Sequence, residues 1–329
     1  MKRILVTGGA GYIGSHTAKL LALSGYEPIS FDNLSTGNAS AVRYGPLVEG
    51  DLADTVCLRT AIEQYRIDAV IHFAANAYVG ESVENPRKYF ANNVANMLNL
   101  LNTALDCGVR RVVFSSTCST YGIPTCLPIS EDHPQHPINP YGESKLFAER
   151  VLHWYGEAYG LRWCALRYFN AAGADLDCEL GETHNPETHL IPLIVRAGLG
   201  LQTEIGVYGT DYDTPDGTAV RDYIHVMDLA SAHVAALEYL FDSGISLALN
   251  LGTGKGHSVQ EVIRAVERKA HARIPVKNLP RRPGDPAILV ANPAKAKQVL
   301  GWTPRHSEID TIVDTAWRWE AGRRRVAIS

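Results

Sequence analysis

Short apolar, β-branched runs alternate with longer amphipathic stretches through the first half of the chain. The runs at 3–7, 28–32, 69–73, 111–115 and 162–167 have the length and composition of buried strands. Between them, apolar residues recur at helical spacing over 12–24, 55–65, 86–107 and 140–159. Strand and helix in alternation build βαβ units, so the pattern predicts an α/β fold with a Rossmann-type, doubly wound parallel sheet. Such a sheet carries its ligands beyond the carboxyl ends of its strands.

After Asn170 the rhythm weakens, and glycine, proline and short mixed segments become frequent. We therefore expect residues 1–170 to form a dinucleotide-binding domain. Residues 171–329 should form mainly a smaller, mixed α/β substrate domain, with some segments returning to the first. Within the second part, Asn250-Leu251-Gly252-Thr253-Gly254 reads as a strand ending in a tight turn. Ser258 and Glu261 follow in capping-box spacing, a structural feature and not a catalytic one. Arg323-Arg324-Arg325 reads as the solvated end of a last helix, where positive charge suits the macrodipole.

At 329 residues, 46% hydrophobic and 20% charged, the chain has material for a large core. A net charge of -4 offers no general attraction to nucleic acid or an anionic membrane, so an anionic ligand has to be held locally. No apolar run approaches the length of a membrane span, and Thr7-Gly8-Gly9 interrupts the apolar start too early for a signal peptide. A cytoplasmic enzyme is the expectation. Cys57, Cys107, Cys118, Cys126, Cys164 and Cys178 show no CxxC and no regular spacing, and they read as reduced thiols. No metal site is expected.

Directly after the first strand stands Gly8-Gly9-Ala10-Gly11-Tyr12-Ile13-Gly14, opening a helix. Glycines at that turn let the backbone approach a pyrophosphate, whose charge meets the free N–H groups of the helix start. Ser15, not lysine, follows Gly14, which removes the P-loop alternative. Asp32 ends the second strand, where a carboxylate accepts from both ribose hydroxyls and repels a 2′-phosphate, favouring NAD over NADP. The other reading of Asp32 is a turn residue beside Asn33. Asp51-Leu52 after the next short strand binds and covers the adenine, or Asp51 caps a helix.

Tyr141 and Lys145 follow Pro140 at the head of a predicted helix and share one face. A phenol is a poor base at neutral pH, and a neighbouring ammonium is expected to lower its pKa. Such a pair beside NAD suits proton removal from a sugar hydroxyl while hydride leaves the same carbon. Thr117 ends a strand at the same edge of the sheet, placed to bond the reacting oxygen or simply to form a turn.

The segments TGGAGYIGS (7–15), FDNLSTG (31–37), VGESVENP (79–86), FSST (114–117), YGESK (141–145), RYFNAAGA (167–174), VRDYIHVMDLA (220–230) and RRPGDP (281–286) complete the pattern. On them the chain resembles the extended short-chain dehydrogenase/reductase family, and within it the UDP-glucose 4-epimerases, essentially end to end. The resemblance implies that Tyr141 is the acid/base, that Lys145 organises cofactor and tyrosine, and that Thr117 takes the place of the family's catalytic serine or threonine. It implies an NAD site made by Gly8, Gly11, Tyr12, Ile13, Gly14, Asp32, Asn33, Asp51, Leu52, Phe73, Ala74, Asn93, Ser115 and Tyr168 together with the catalytic pair. It further implies that a UDP-sugar is held by Thr117, Asn170, His189, Leu190, Arg221, Arg282 and Asp285, with Val207 and Tyr208 near the uracil. A homodimer built on the helices at 86–107 and 140–159 is likewise implied.

Three positions depart from well-known members. Ala77 replaces a cofactor-facing lysine, His189 stands where asparagine is common, and Leu289 sits where residue size is associated with admitting N-acetylated sugars. The expected reaction is inversion at C4 through a transient 4-keto sugar. Other UDP-sugars, N-acetylated or pentose, remain alternatives, as does a non-catalytic NAD-binding regulator, against which the intact Tyr141, Lys145 and Thr117 argue. A 4,6-dehydratase needs an acid and a base directly after the threonine, and Cys118-Ser119 stand there instead.

Overall fold

The computed structural model describes residues 1–282 and 284–328, side chains beyond residue 323 excepted. Pro283 of the 281–286 motif and the side chains of Arg324 and Arg325 lie outside the described residues. The chain runs β1 (Arg3–Thr7), α1 (Tyr12–Leu23), β2 (Glu27–Asp32), β3 (Leu47–Glu49), α2 (Thr55–Tyr65), β4 (Ala69–His72), α3 (Val79–Glu84), α4 (Pro86–Phe90), α5 (Asn96–Asp106) and β5 (Arg111–Thr117). Then follow α6 (Pro140–Tyr159), β6 (Arg162–Tyr168), β7 (Asn170–Ala172), α7 (Leu190–Gly198), β8 (Ile205–Tyr208), β9 (Val220–Arg221), β10 (Tyr223–His225) and α8 (Val226–Asp242). The last elements are β11 (Leu247–Leu251), β12 (His257–Ser258), α9 (Val259–Ala270), β13 (Val276–Leu279), β14 (Ile288–Leu289), α10 (Ala294–Leu300) and α11 (Ile309–Ile328).

Among the described residues, seven strands pair in the order β11-β6-β5-β4-β1-β2-β3, all parallel. The order reverses between β1 and β4, and at that switch point a doubly wound sheet opens a crevice for a ligand. One face is covered by α1 and α8, with Leu21, Leu229, Leu237 and Leu240 fully buried against Ile4, Val6 and Ile71. The other is covered by α2, α5 and α6, with Leu58, Met97, Leu101 and Leu152 packed on Leu5, Val70 and Val112. Strands buried on both faces need continuous apolar runs, which is why the sequence shows runs and not alternation.

The single helix expected over 86–107 is α4 and α5 joined by a π-helical segment at Ala91–Ala95. The buried residue of that segment is the polar Asn93, so the extra residue taken up by the widened turn leaves no mark in the apolar pattern, and π-turns of this kind gather at functional sites. Three elements beyond residue 170, α8, β11 and, through Ala296 and Leu300, α10, belong to the large sheet and its cover. The rest of the second half has its own core, where Ile194, Val195, Val262, Val266, Ile312 and Val313 of α7, α9 and α11 meet Ile205 and Val207 of β8. The capping box forms as read, with Ser258 and Glu261 bonding each other's backbone N–H. Asp222, fully buried, pins the turn after β11 by accepting from Thr253 N at 2.9 Å, Thr253 Oγ1 at 2.7 Å and Gly254 N at 3.1 Å. None of the helices among the described residues is long and apolar enough to cross a membrane.

Four histidines are sealed into this framework. Burial pushes His72 and His225 down to about 3, and His16 and His233 down to about 4. In the unfolded chain these imidazoles take up protons near pH 6.5, so between that value and the folded ones the unfolded state binds more protons. Stability should fall with pH through this window, by up to about 1.4 kcal/mol per pH unit for each histidine. The thermal midpoint is expected to drop between about pH 6.5 and pH 5; a midpoint that holds or rises would contradict four buried neutral imidazoles.

Candidate active site

The glycine turn between β1 and α1 is fixed by close approach. A Cβ added at Gly14 would stand 2.1 Å from the Gly8 carbonyl oxygen, and one at Gly8, where φ is +75°, 2.6 Å from the Ala74 nitrogen. Gly11 caps α1 without a side-chain bond, and no acidic residue occupies the first turn. The helix start therefore keeps bare N–H groups and its positive dipole end, as an anion requires. Tyr12 reaches across to donate to the Gly173 carbonyl at 2.6 Å, while Ile13 packs into the core beneath.

Asp32 at the end of β2 accepts from Ala10 N and from Leu34 N, each at 2.9 Å. It is thus tied to the glycine loop and also makes the turn that was the other reading of this residue. Asn33 donates to Asp51 Oδ2 at 2.7 Å, and Leu52 is buried beside them. The helix-cap alternative for Asp51 is corrected: Asp54 caps α2, accepting from Val56 N and Cys57 N. A glycine cradle, a free helix start and a carboxylate on β2 together fit a dinucleotide.

Asn139 caps α6 by accepting from Gly142 N at 2.8 Å, and Pro140 begins its first turn. This start sets Tyr141, Lys145 and Glu149 along one inward stripe. Lys145 is 3% exposed, donates to the Ser115 carbonyl at 2.8 Å and lies 4.8 Å from the centre of the Phe114 ring. Burial drives it down to about 7, with the Glu149 charge opposing. Tyr141 lies beside the Thr117 hydroxyl; burial pushes the phenol up to about 12, partly countered by its bond with Thr117. The expectation that Lys145 lowers the phenol is therefore overturned in the protein alone. Desolvation outweighs any charge effect, because the ammonium is bonded to a backbone carbonyl and is itself weakened.

Thr117 also fulfils its turn role, accepting from Ser119 N at 3.1 Å to cap the 3-10 turn Cys118–Thr120. Ser115 Oγ bonds the buried Tyr168 hydroxyl. Asn93, within the π segment, donates to Ser144 Oγ and to Asn76 O at 3.0 Å and accepts from Asn76 N at 2.9 Å, latching the segment to α6 and to the loop after β4. Phe73 lies 4.6 Å from the His233 ring, and Ala74 N donates to Thr7 O at 3.1 Å, closing the crevice floor. Burial pushes the Cys118 thiol up to about 12, which removes it as a nucleophile. All six cysteines are free.

On the substrate side, Arg221 donates to Asp285 at 2.5 Å and to the Val220 carbonyl at 2.7 Å. Leu289 pairs in register with Arg221 and packs on the cluster of Cys118 and Phe169. Arg282 lies 4.0 Å over the Tyr208 ring. Asn170 N donates to Asp222 O at 3.0 Å, holding β7 to β10. Val207 is 2% exposed within the second core, so only its backbone is available to a ligand. Leu190 packs on that core at the start of α7, and Ala77 is exposed.

Two groupings escaped the sequence reading. Glu149 and Arg167, both nearly fully buried, form an ion pair at 2.6 Å; the signal was the continuation of the Tyr141, Lys145 stripe by one further helical turn. Glu182, His184, Glu187 and His189 converge on one another, and all four lie within eight residues of sequence. A search for paired cysteines passes over that E-x-H-x-x-E-x-H spacing.

Fold and site define a dinucleotide-dependent enzyme of the extended short-chain dehydrogenase/reductase class. The model of the NAD dependent epimerase/dehydratase family matches residues 4–252, and the chain belongs to that family. It is 51% identical over 322 residues to a UDP-glucose 4-epimerase of Rhizobium meliloti, covering 98% of both chains. Among solved structures it is similar to the UDP-glucose 4-epimerase of Brucella ovis in complex with NAD, at 55% identity and TM-score 0.94, over 97% of this chain and 98% of that one. The enzyme of Bifidobacterium longum in complex with NAD+ and UDP aligns at 40% identity and TM-score 0.93, over 98% and 99%.

Gly14→Ala should cost at least about 1–3 kcal/mol and loosen cofactor retention, since a backbone carbonyl has to move. Gly11→Ala, whose Cβ would meet only the Gly8 oxygen at 3.2 Å, should cost less; equal thermal midpoints would contradict the cradle. Arg167→Ala should cost roughly 3–5 kcal/mol in urea unfolding by stranding a buried Glu149 charge, and removing both partners should cost less than removing the arginine alone. A near-neutral Arg167→Ala would show the pair to be dispensable.

Proposed function

We propose that this protein interconverts UDP-glucose and UDP-galactose by inverting C4 with a resident NAD. The observation that carries the reading is the meeting of Tyr141, Thr117 and Lys145 at the carboxyl edge of β5, beside a glycine cradle suited to a dinucleotide. The activity named for its relatives supports it.

In this reading Gly8, Gly11 and Gly14 and the start of α1 hold the pyrophosphate, and Asp32 takes the ribose hydroxyls. NAD, when bound, supplies a hydride acceptor that gives back what it receives, and a positive charge that opposes the desolvation of the phenol. Tyr141 removes and returns the proton at the sugar 4-oxygen. Thr117 orients that oxygen, and Lys145, anchored on Ser115, organises cofactor and tyrosine. Residues 171–329 mainly grip the nucleotide: Arg221, held by Asp285, and Arg282, stacked on Tyr208, offer planar donors suited to diphosphate oxygens. Asn170, His189 and Leu190 line the same side, and Val207 faces the uracil with its backbone.

The same proposal includes a homodimer built on the 86–107 and 140–159 helices. Phe90, Phe147, Trp154 and Tyr159 are all exposed there, with Trp154 at 67%. Free thiols suit a cytoplasmic setting.

Purified protein given UDP-galactose without added NAD should yield UDP-glucose by chromatography with no net NADH, and no conversion even with NAD supplied would refute the activity. Tyr141→Phe should lower turnover by about 10²–10⁴-fold while retaining cofactor; near-normal turnover would remove Tyr141 as the acid/base. Phe147→Asp should shift the protein from dimer to monomer in light scattering, and an unchanged mass would place the interface elsewhere.

A further inference from the structure

The loop between β7 and α7 brings Glu182, His184, Glu187 and His189 together at the start of α7. The distances are 2.9 Å from His184 Nδ1 to Glu182 Oε1, 2.7 Å from His189 Nδ1 to the same oxygen, 3.0 Å from His189 Nδ1 to Glu187 Oε1 and 3.8 Å from His184 Nδ1 to Glu187 Oε2. All four ligand atoms lie within 4.8 Å of one another. A tetrahedral ion with bonds of about 2.0–2.1 Å has ligand-to-ligand edges of roughly 3.3 Å, which these separations bracket.

A second observation points into the same space. The Glu187 side chain is 1% exposed, and its Oε1 already accepts from Thr188 N and His189 N at 2.8 and 2.9 Å. Its Oε2 is buried with no hydrogen-bond partner, an orphan that a cation would satisfy. The surroundings hold the ligands in place: Tyr12 and Tyr78 present ring edges to His184 at 6.3 and 6.1 Å, and Trp319 Nε1 donates to the Glu182 carbonyl at 3.0 Å. The His189 side chain is 45% exposed, which leaves a path for the ion to enter.

We propose that Glu182, His184, Glu187 and His189 form a binding site for a divalent transition-metal ion of the zinc class. Two imidazole nitrogens and two carboxylates are the donor set that zinc takes, and two carboxylate charges balance the ion. Four protein ligands make the site a closed, structural one. It pins the 182–189 loop and the start of α7 to Tyr12, at the mouth of the dinucleotide crevice.

Untagged protein stripped with chelator should bind zinc chloride stoichiometrically in calorimetry, raise its thermal midpoint, and give the intense visible bands of tetrahedral cobalt when cobalt chloride replaces zinc. His184→Ala and the shape-preserving Glu187→Gln, each confirmed folded by circular dichroism, should weaken binding by at least the roughly 10–100-fold that loss of a mere outer-shell partner costs. Either folded variant suffices. Absence of binding in the parent, octahedral cobalt spectra, or undiminished affinity in a folded variant would overturn the site.

Discussion

The docking of α6 onto the sheet turns on one buried ion pair. Arg167 of β6 meets Glu149 of α6 with Nη2 at 2.6 Å and Nε at 3.0 Å, and Ser116 of β5 donates to the same carboxylate at 2.5 Å. Arg167 also donates to the Tyr121 hydroxyl at 2.9 Å, and Tyr121 to Asn250 of β11 at 2.6 Å. One carboxylate thus ties the helix directly to two neighbouring strands, and through Arg167 and Tyr121 to a third. Because Glu149 is one helical turn from Lys145 and two from Tyr141, fixing it fixes the register of the catalytic stripe. A buried pair of this kind adds little net stability over apolar packing, since desolvation consumes most of the attraction. Its contribution here is positional: apolar side chains hold α6 on the sheet, and the ion pair decides where along the sheet it sits.

Dryness is the second consequence of that docking. Lys145 and Tyr141 are close to the same strand end yet do not neutralise each other's burial, for the lysine is turned to a backbone carbonyl. The resting site therefore holds a neutral phenol and a weakened ammonium. Charge brought in by a cofactor acts there at low dielectric, where it counts for more than in water. A Tyr-Lys pair on an exposed helix would have near-ordinary pKa values and no such response.

Much of this was legible in the chain. Strands buried on both faces write themselves as apolar runs, which is why β1 ends where the pattern ends, the amphipathic period marks out α2, and the capping signal at Ser258 and Glu261 sits on the residues themselves. What was hidden depends on partners far away in sequence. The π-helical break at Ala91–Ala95 turns a polar residue, Asn93, inward and so leaves no mark in the apolar pattern; Arg167 and Glu149 become a pair only once β6 lies under α6. The sign of the Tyr141 shift was misjudged because adjacency on a helix face says nothing about how deeply that face is buried. Val207 was read with its neighbour Tyr208, although successive residues of a strand face opposite ways, so one enters the core and the other meets Arg282.

The central claim is that one carbon of a nucleotide-bound sugar is oxidised and reduced in place, with its hydrogen never leaving the site. UDP-galactose carrying deuterium at C4, turned over in ordinary water, tests this most directly by mass spectrometry and proton NMR of the product. UDP-glucose that retains its deuterium at C4 is the predicted result, and UDP-glucose that has exchanged it for solvent hydrogen would contradict the account.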